Sequence, residues 1–301
     1  MDLTVTGLRV LREVAERGTF TAAAAALGYT QSAVSRQVAA LERAAGRSLF
    51  DRRRDGVRPT AAGLALLGHA AVALDALDAA ERDLRGLAAP GGVVRLGMYI
   101  SAGAVLVPRA LAALRRERPD IAVTTREGTT PALVRSLRAG TLDLAVLSSR
   151  PPFRPPDDET PRLELATLTD TTLRLAVPDT SPLAAHDTVR VEDLVDQLWI
   201  ASPDSGAEPL LGVWPGLAGR PRVAHTARDW LTKLRLVAAG CGITTVPMSL
   251  ARAVPAGVRL LAVEGGPLER RRTVLARAPG EPSPAVRELV RALHRSASEI
   301  V

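Results

Sequence analysis

Residues 60–88 run without a proline, and Leu64, Leu67, Ala71, Leu74, Leu77, Leu84 and Leu87 recur through them at steps of mostly three and four. That spacing predicts one long helix with an apolar stripe. A lone helix cannot bury such a stripe against itself, so it needs a partner. A second copy of the same helix is the economical partner, and a neighbouring domain of the same chain is the alternative. Thr60 is placed to cap the start, and Ala89-Pro90-Gly91-Gly92 breaks the chain as a hinge. The helix therefore divides the 301 residues into three: a short unit 1–59, a connecting helix and hinge 60–90, and a long unit 91–301.

The short unit reads as three helices and a hairpin. Leu8, Leu11, Val14 and Ala15 recur at helical spacing until Gly18. Thr19 caps an alanine-rich helix that ends at Gly28, and Thr30 caps a third helix that ends at Gly46. Asp55-Gly56 then marks the turn of a hairpin or wing. A helix, a glycine turn and a capped helix form a helix-turn-helix signal, in which the later helix would enter a DNA major groove. Gln31, Ser32, Ser35 and Arg36 stand at its start, and glutamine and arginine can each bond a base edge twice. Arg52, Arg53, Arg54 and Arg58 put four cations in the wing, suited to phosphates or a minor groove. The bland alternative is a small helical domain with a solvated polar face.

The long unit alternates strand and helix. The order from Val93 to Ser148 is βαβαβ, which argues for a parallel sheet covered by helices. A loop rich in proline and acid, 151–161, separates this half from further strands at 173–178, 197–202, 242–247, 258–263 and 272–278. A helix spans 226–240, and another closes the chain. Two sets of short strand–helix units favour a two-lobed α/β body with a cleft over one large sheet. Aromatic residues are only 3%, so leucine, valine and alanine must build the core.

The formal charge of +7 favours nucleic acid only weakly. There is a single lysine, Lys233, and the remaining cations are arginines, which reads as a composition bias. One cysteine, Cys241, excludes an intramolecular disulfide. The early charges at the N-terminus do not look like a secretory signal, and no run of about 18 apolar residues is present. The expectation is a cytoplasmic protein without a membrane partner. No GxSxG, Walker loop, Rossmann fingerprint or metal-binding histidine spacing occurs, so no catalytic residue, metal or cofactor is expected. His69, His186, His225 and His294 are scattered.

Residues 8–63 resemble the DNA-binding domain of LysR-type transcriptional regulators, the matching stretch running from Phe20 to Gly63. Thr30-Gln31-Ser32-Ala33-Val34-Ser35-Arg36, Leu41-Glu42, Gly46, Leu49-Phe50 and Thr60-Ala61-Ala62-Gly63 fall in the family's order and spacing. The resemblance implies an N-terminal winged helix-turn-helix, a long dimerising linker helix and a C-terminal periplasmic-binding-protein-like effector domain. It implies that Thr30, Gln31, Ser32, Ser35 and Arg36 face DNA, with Arg52, Arg53 and Arg54 in the wing. Residues 137–146 and 237–247 follow the family's two lobes more loosely. Lobe one would be 91–163 with 267–301, and lobe two 164–266. A dimer implies double-stranded DNA with an interrupted palindrome, and the resemblance adds a tetramer.

Cleft walls in such a body come from loops after strands and from helix starts, whose free N–H groups favour anions and hydroxyls. Ser101, Ala102 and Gly103 follow the first strand, Thr129 and Thr130 precede a helix, Ser202 follows the strand containing Trp199, and Thr226 follows Val223. By similarity these seven surround the effector. Singly, each serine or threonine could be no more than a helix cap, and Thr130 is expected to cap its helix. Trp199 and Trp230 suit either pocket or core. The ligand class expected is a small polar or anionic metabolite, held without a dedicated cation. Some family members sense oxidants with paired cysteines, which this chain lacks; Cys241 is expected to be a buried structural thiol. The alternatives from other classes are a solute-binding protein and an α/β enzyme acting on a small metabolite.

Overall fold

The computed structural model describes residues 3–54, 56–84, 89–203, 211–265 and 269–300. The first three helices are α1 (Val5–Arg17), α2 (Phe20–Leu27) and α3 (Gln31–Ala45). Each opens on a threonine whose hydroxyl accepts a backbone N–H: Thr4 from Gly7, Thr19 from Ala22, Thr30 from Ala33. Each closes on a left-handed glycine, at Gly18, Gly28 and Gly46. Val10, Leu11, Val14, Val34, Val38 and Leu41 form their common core.

Strands β1 (Phe50–Arg53) and β2 (Gly56–Pro59) make an antiparallel wing. Asp55 at its tip lies outside the described residues. The Glu42 carboxylate accepts the Leu49 N–H at 2.8 Å, which ties the wing to α3. Phe50 meets Phe20 edge-on with centroids 6.2 Å apart. The Val57 N–H bonds the Gly18 carbonyl at 2.8 Å. Gly56 sits at φ +135°, and a Cβ there would run into that same carbonyl, so a side chain is excluded twice over.

Helix α4 (Ala61–Leu84) begins where Thr60 accepts the Gly63 N–H. The end expected at residues 85–88, with Leu87, lies outside the described residues. The apolar stripe divides. Leu67, Ala70 and Leu74 are buried within this chain, with Leu67 in the N-terminal core. Val72 (72% exposed), Leu77 (42%) and Leu84 (89%) face outward. The expected stripe therefore packs partly on its own domain; Leu77 and Leu84, seven residues apart, share one exposed side of the helix, and Val72 lies on another. Residues Ala61–Glu81 are long and apolar enough to cross a membrane by length and composition, contrary to expectation. Alanine, the best helix former, supplies much of that apolarity.

In the long unit, β3 (Val93–Met98), β4 (Ala122–Glu127) and β5 (Leu144–Ser149) are parallel, in the order β4-β3-β5. They are connected through α5 (Ile100–Ala104), α6 (Leu106–Glu117) and α7 (Thr130–Arg138). Strand β6 (Glu164–Pro178) is far longer than the expected 173–178. Its first part pairs with β12 (Arg270–Arg277), and its last part with β10 (Thr244–Pro247) and β11 (Val258–Glu264). One strand thus hydrogen-bonds both lobes into a continuous path, with short β7 (Thr188–Arg190) at the far edge. A separate parallel pair, β8 (Leu198–Ala201) and β9 (Arg222–Thr226), lies with α8 (Trp230–Ala238) in lobe two. Helix α9 (Pro284–Ser298) returns to lobe one, where Leu289 and Leu293 join Leu96, Val107 and Leu114. Lobe two has a core around Leu175, Trp199 and Leu261, and a second around Ile200, Leu234 and Val246 that Val105 of lobe one joins.

Candidate functional site

Helix α3 divides its residues by periodicity. Val34, Val38 and Leu41 turn inward, which leaves Gln31, Ser32 and Arg36 exposed and Ser35 half-buried. The Thr30 hydroxyl is used on its cap and lies 3.1 Å from the Ser32 hydroxyl, so the two fix the first turn. Arg52, Arg53, Arg54 and Arg58 are all exposed on the wing. Gln31, Arg36, Arg52, Arg53 and Arg54 have no hydrogen-bond or ion-pair partner among the described residues, so their donors are available to another molecule.

The expected cleft residues fall into separate groups. Ser101 and Ala102 are buried in α5 and line a cavity of about 10 Å³ together with Tyr99, Thr169, Ser249 and Thr273. These residues come from both lobes, and the space is that of one water. The Tyr99 hydroxyl lies 2.8 Å from that of Thr273, and burial pushes the phenol's pKa up. Gly103 faces the Met98 side chain instead. The N-cap position of α7 is Thr129, not Thr130, and neither hydroxyl caps the helix. Thr130 is its first residue and reaches the Ser148 carbonyl at 3.5 Å. In lobe two the register pairs Ala201 with Thr226, which sets Ser202 and Thr226 at the same end of the β8–β9 pair. Thr226 closes β9, a strand the sequence reading lacked, because every residue in it is exposed and it shows no alternation. Trp199 is fully buried in the lobe core, which settles its role as packing.

Lys233 is a buried charged residue that the sequence pattern did not flag. It is 2% exposed, and its Nζ donates to the Ser202 hydroxyl at 2.7 Å. It also stands 5.0 Å from the Trp230 ring centroid. Burial pushes its pKa down to about 8, opposed by the Asp229 carboxylate. Its signal was present only as the one lysine among many arginines.

Residues 5–64 match the model of bacterial regulatory helix-turn-helix proteins of the lysR family, and residues 88–298 match the LysR substrate binding domain. The chain belongs to the LysR family. It is a DNA-binding transcriptional regulator with an effector-binding C-terminal domain, and not an enzyme. It is 34% identical over 295 residues to a small neutral protease regulatory protein of Streptomyces coelicolor, covering 93% of this chain and 84% of that one. It is 32% identical over 251 residues to a probable hydrogen peroxide-inducible genes activator of Mycobacterium avium, covering 82% and 78%. Its fold is similar to full-length CbnR complexed with target DNA, with a TM-score of 0.55 at 24% identity, covering 98% and 100%.

In this LysR-type regulator the DNA-binding unit and lobe one are joined by side chains far apart in sequence. The Arg95 guanidinium on β3 bonds both oxygens of Asp75 on α4 at 2.8 Å, and also bonds Asp143 at 2.6 and 3.1 Å. The Glu16 carboxylate of α1 pairs with Arg126 of β4, and the Glu16 carbonyl accepts from Arg135 of α7 at 3.2 Å. Ala139, just after α7, is fully buried in the N-terminal core. Cys241 is half-buried, with its Sγ 4.0 Å from the Ala239 carbonyl.

Proposed function

We propose that this regulator reads double-stranded DNA through Thr30, Gln31, Ser32, Ser35 and Arg36. Arg52, Arg53 and Arg54 hold the flanking backbone. The observation that carries this reading is that Gln31, Arg36, Arg52, Arg53 and Arg54 have no partner among the described residues and are presented by a core that fixes both α3 and the wing. The units are 1–59, 60–90 and 91–301, with lobes 91–163 plus 267–301 and 164–266. The change of partner along β6 favours a first crossing nine residues later than that division, between Thr172 and Leu173, which would give Glu164–Thr172 to lobe one. The outward face of α4 joins two copies, which read an interrupted palindrome. Family membership supports a further pairing into a tetramer. Work on DNA implies the cytoplasm.

The effector is a small polar or anionic metabolite held by Ser101, Ala102, Gly103, Thr129, Thr130, Ser202 and Thr226. Support comes from hydroxyls on both lobes beside backbone that has no side-chain cap. Such a ligand acts by favouring one arrangement of lobes and subunits over another.

The test is binding to the protein's own upstream DNA. Gln31→Ala is expected to cost about 1–3 kcal/mol on the cognate site and much less on random duplex. Arg53→Ala is expected to weaken both and to lower the salt slope, because a phosphate contact releases counterions without reading sequence. Equal losses on both duplexes for Gln31→Ala would remove it from base reading.

A further inference from the structure

Lys233 lies deep in lobe two with no carboxylate to neutralise it among the described residues. Its nearest acid, Asp229, sits one helical turn away, and that carboxylate is engaged by the Thr232 N–H at 2.7 Å as the cap of α8. An ammonium carries three donors, and one of them is used here, on Ser202. Trp230 supplies a ring face at 5.0 Å, which tolerates a cation but accepts no ordinary hydrogen bond from it. Burying a charge in this way is unfavourable unless an anion joins it. The position is informative as well. Ser202, which takes the one hydrogen bond, immediately follows β8, beside the end of β9 where Thr226 stands.

We propose that Lys233 and Ser202 form the anion-holding end of the effector site and select a small organic carboxylate. The inference rests on the reading that the effector lies against Ser202 and Thr226, and it names the group that the hydroxyl set lacks. The ammonium supplies the charge. The Ser202 hydroxyl, which accepts from Lys233, donates to no acceptor among the described residues and can offer its proton to a carboxylate oxygen. The Trp230 face adjoins the apolar part of the acid. The single ammonium matches the single charge of a carboxylate, while a phosphate brings further negative charge that nothing at this site among the described residues would neutralise.

Because Lys233 is the only lysine, labelling lysine with carbon-13 at Cε gives the full-length protein one lysine side-chain resonance. The probes are acetate, succinate and benzoate, each set against its neutral amide, with inorganic phosphate as a further anion. The expected result is a saturable shift with at least one carboxylate and an affinity for its amide about tenfold weaker or worse. Lys233→Met is expected to lose about tenfold or more in affinity for that acid by calorimetry, with an unchanged or higher melting temperature. Ser202→Ala is expected to weaken the same acid less.

The proposal is overturned if no carboxylate moves the resonance, if phosphate alone moves it, or if Lys233→Met binds the acid as the native chain does. A neutral ligand that depends on Thr130 and leaves the resonance still would sink the proposal while sustaining the cleft. A carboxylate that shifts the resonance and leaves DNA binding untouched would sustain the site and sink its effector role.

Discussion

Replacing Arg95 with methionine tests how the linker helix is fastened to the effector domain. The substitution keeps the aliphatic stem and removes the guanidinium that bridges Asp75 and Asp143. Two carboxylates are then left facing each other with no cation between them. Breaking a fully buried pair costs about 3–5 kcal/mol, and an exposed one about 0–1. Here Arg95 is 24% exposed, Asp75 41% and Asp143 23%, so solvent screening brings the expected loss to about 2 kcal/mol. The sign with pH follows from Asp75. Burial holds its folded pKa above the ordinary carboxylate value, and Arg95 opposes that rise. A carboxyl raised in the folded state contributes stability below its unfolded pKa and loses it as pH rises through the folded value. Removing Arg95 raises the folded value further, so the loss is largest near neutral pH and shrinks as the pH falls toward the carboxylate range. Urea unfolding at about pH 7 and about pH 5 measures both. A cost under about 0.5 kcal/mol, or one that is the same at both pH values, would refute the bridge as a stabilising link.

A Leu77→Glu, Leu84→Glu double substitution is expected to separate the proposed dimer while the domain stays folded, whereas Leu74→Glu is expected to unfold it; sedimentation and circular dichroism distinguish the two. Lys233→Met removes a buried charge whose pKa is depressed from 10.5 to about 8, so the native chain gains on the variant by roughly 2–3 kcal/mol as pH rises from 8 to 10.5. A difference in stability that does not change over that window would show that the ammonium carries no such penalty. Thr130→Ala is expected to change stability by under about 0.5 kcal/mol, because its hydroxyl is not a cap, and to weaken the effector response with effector-free DNA binding intact. Calorimetry of effector binding beside a melting curve checks both halves.

The helical unit was legible because every boundary in it is local. Thr19 and Thr30 cap with their own neighbours, Gly18, Gly28 and Gly46 end helices within a turn, and the inward residues follow a 3.6 period. The wing followed from Asp55-Gly56 in the same way. The first half of β6 was hidden because Thr167, Asp170, Thr171 and Thr172 give no apolar alternation, and the strand is held by pairing with β12 some hundred residues away. The direction of the α4 stripe was half legible. Its period fixes a helix, but which leucines meet the chain itself depends on how α1 and the wing pack on it, and that placed Leu67 and Leu74 inside and Leu77 outside.

The site's electrostatics were hidden for a different reason. In a chain with 39 lysines and arginines, of which all but one are arginine, an arginine that binds DNA looks the same as one that holds a fold. Arg53 is exposed and unpartnered among the described residues; Arg95 is bonded to acids 20 and 48 positions away; Arg126 and Arg135 reach back to Glu16 across more than a hundred. Sequence spacing carries none of that, since these contacts exist only once the lobe and the helical unit have met. Lysine escapes the ambiguity. Arginine suits solvated and bidentate positions, while a flexible ammonium on a long stem can be drawn into a confined pocket and can shift its pKa there. The one position where this chain departs from arginine is, among the described residues, the one buried cation with a lowered pKa, beside a serine already expected in the cleft. The exception to the composition therefore carries the proposal for the effector site more sharply than the overall charge does.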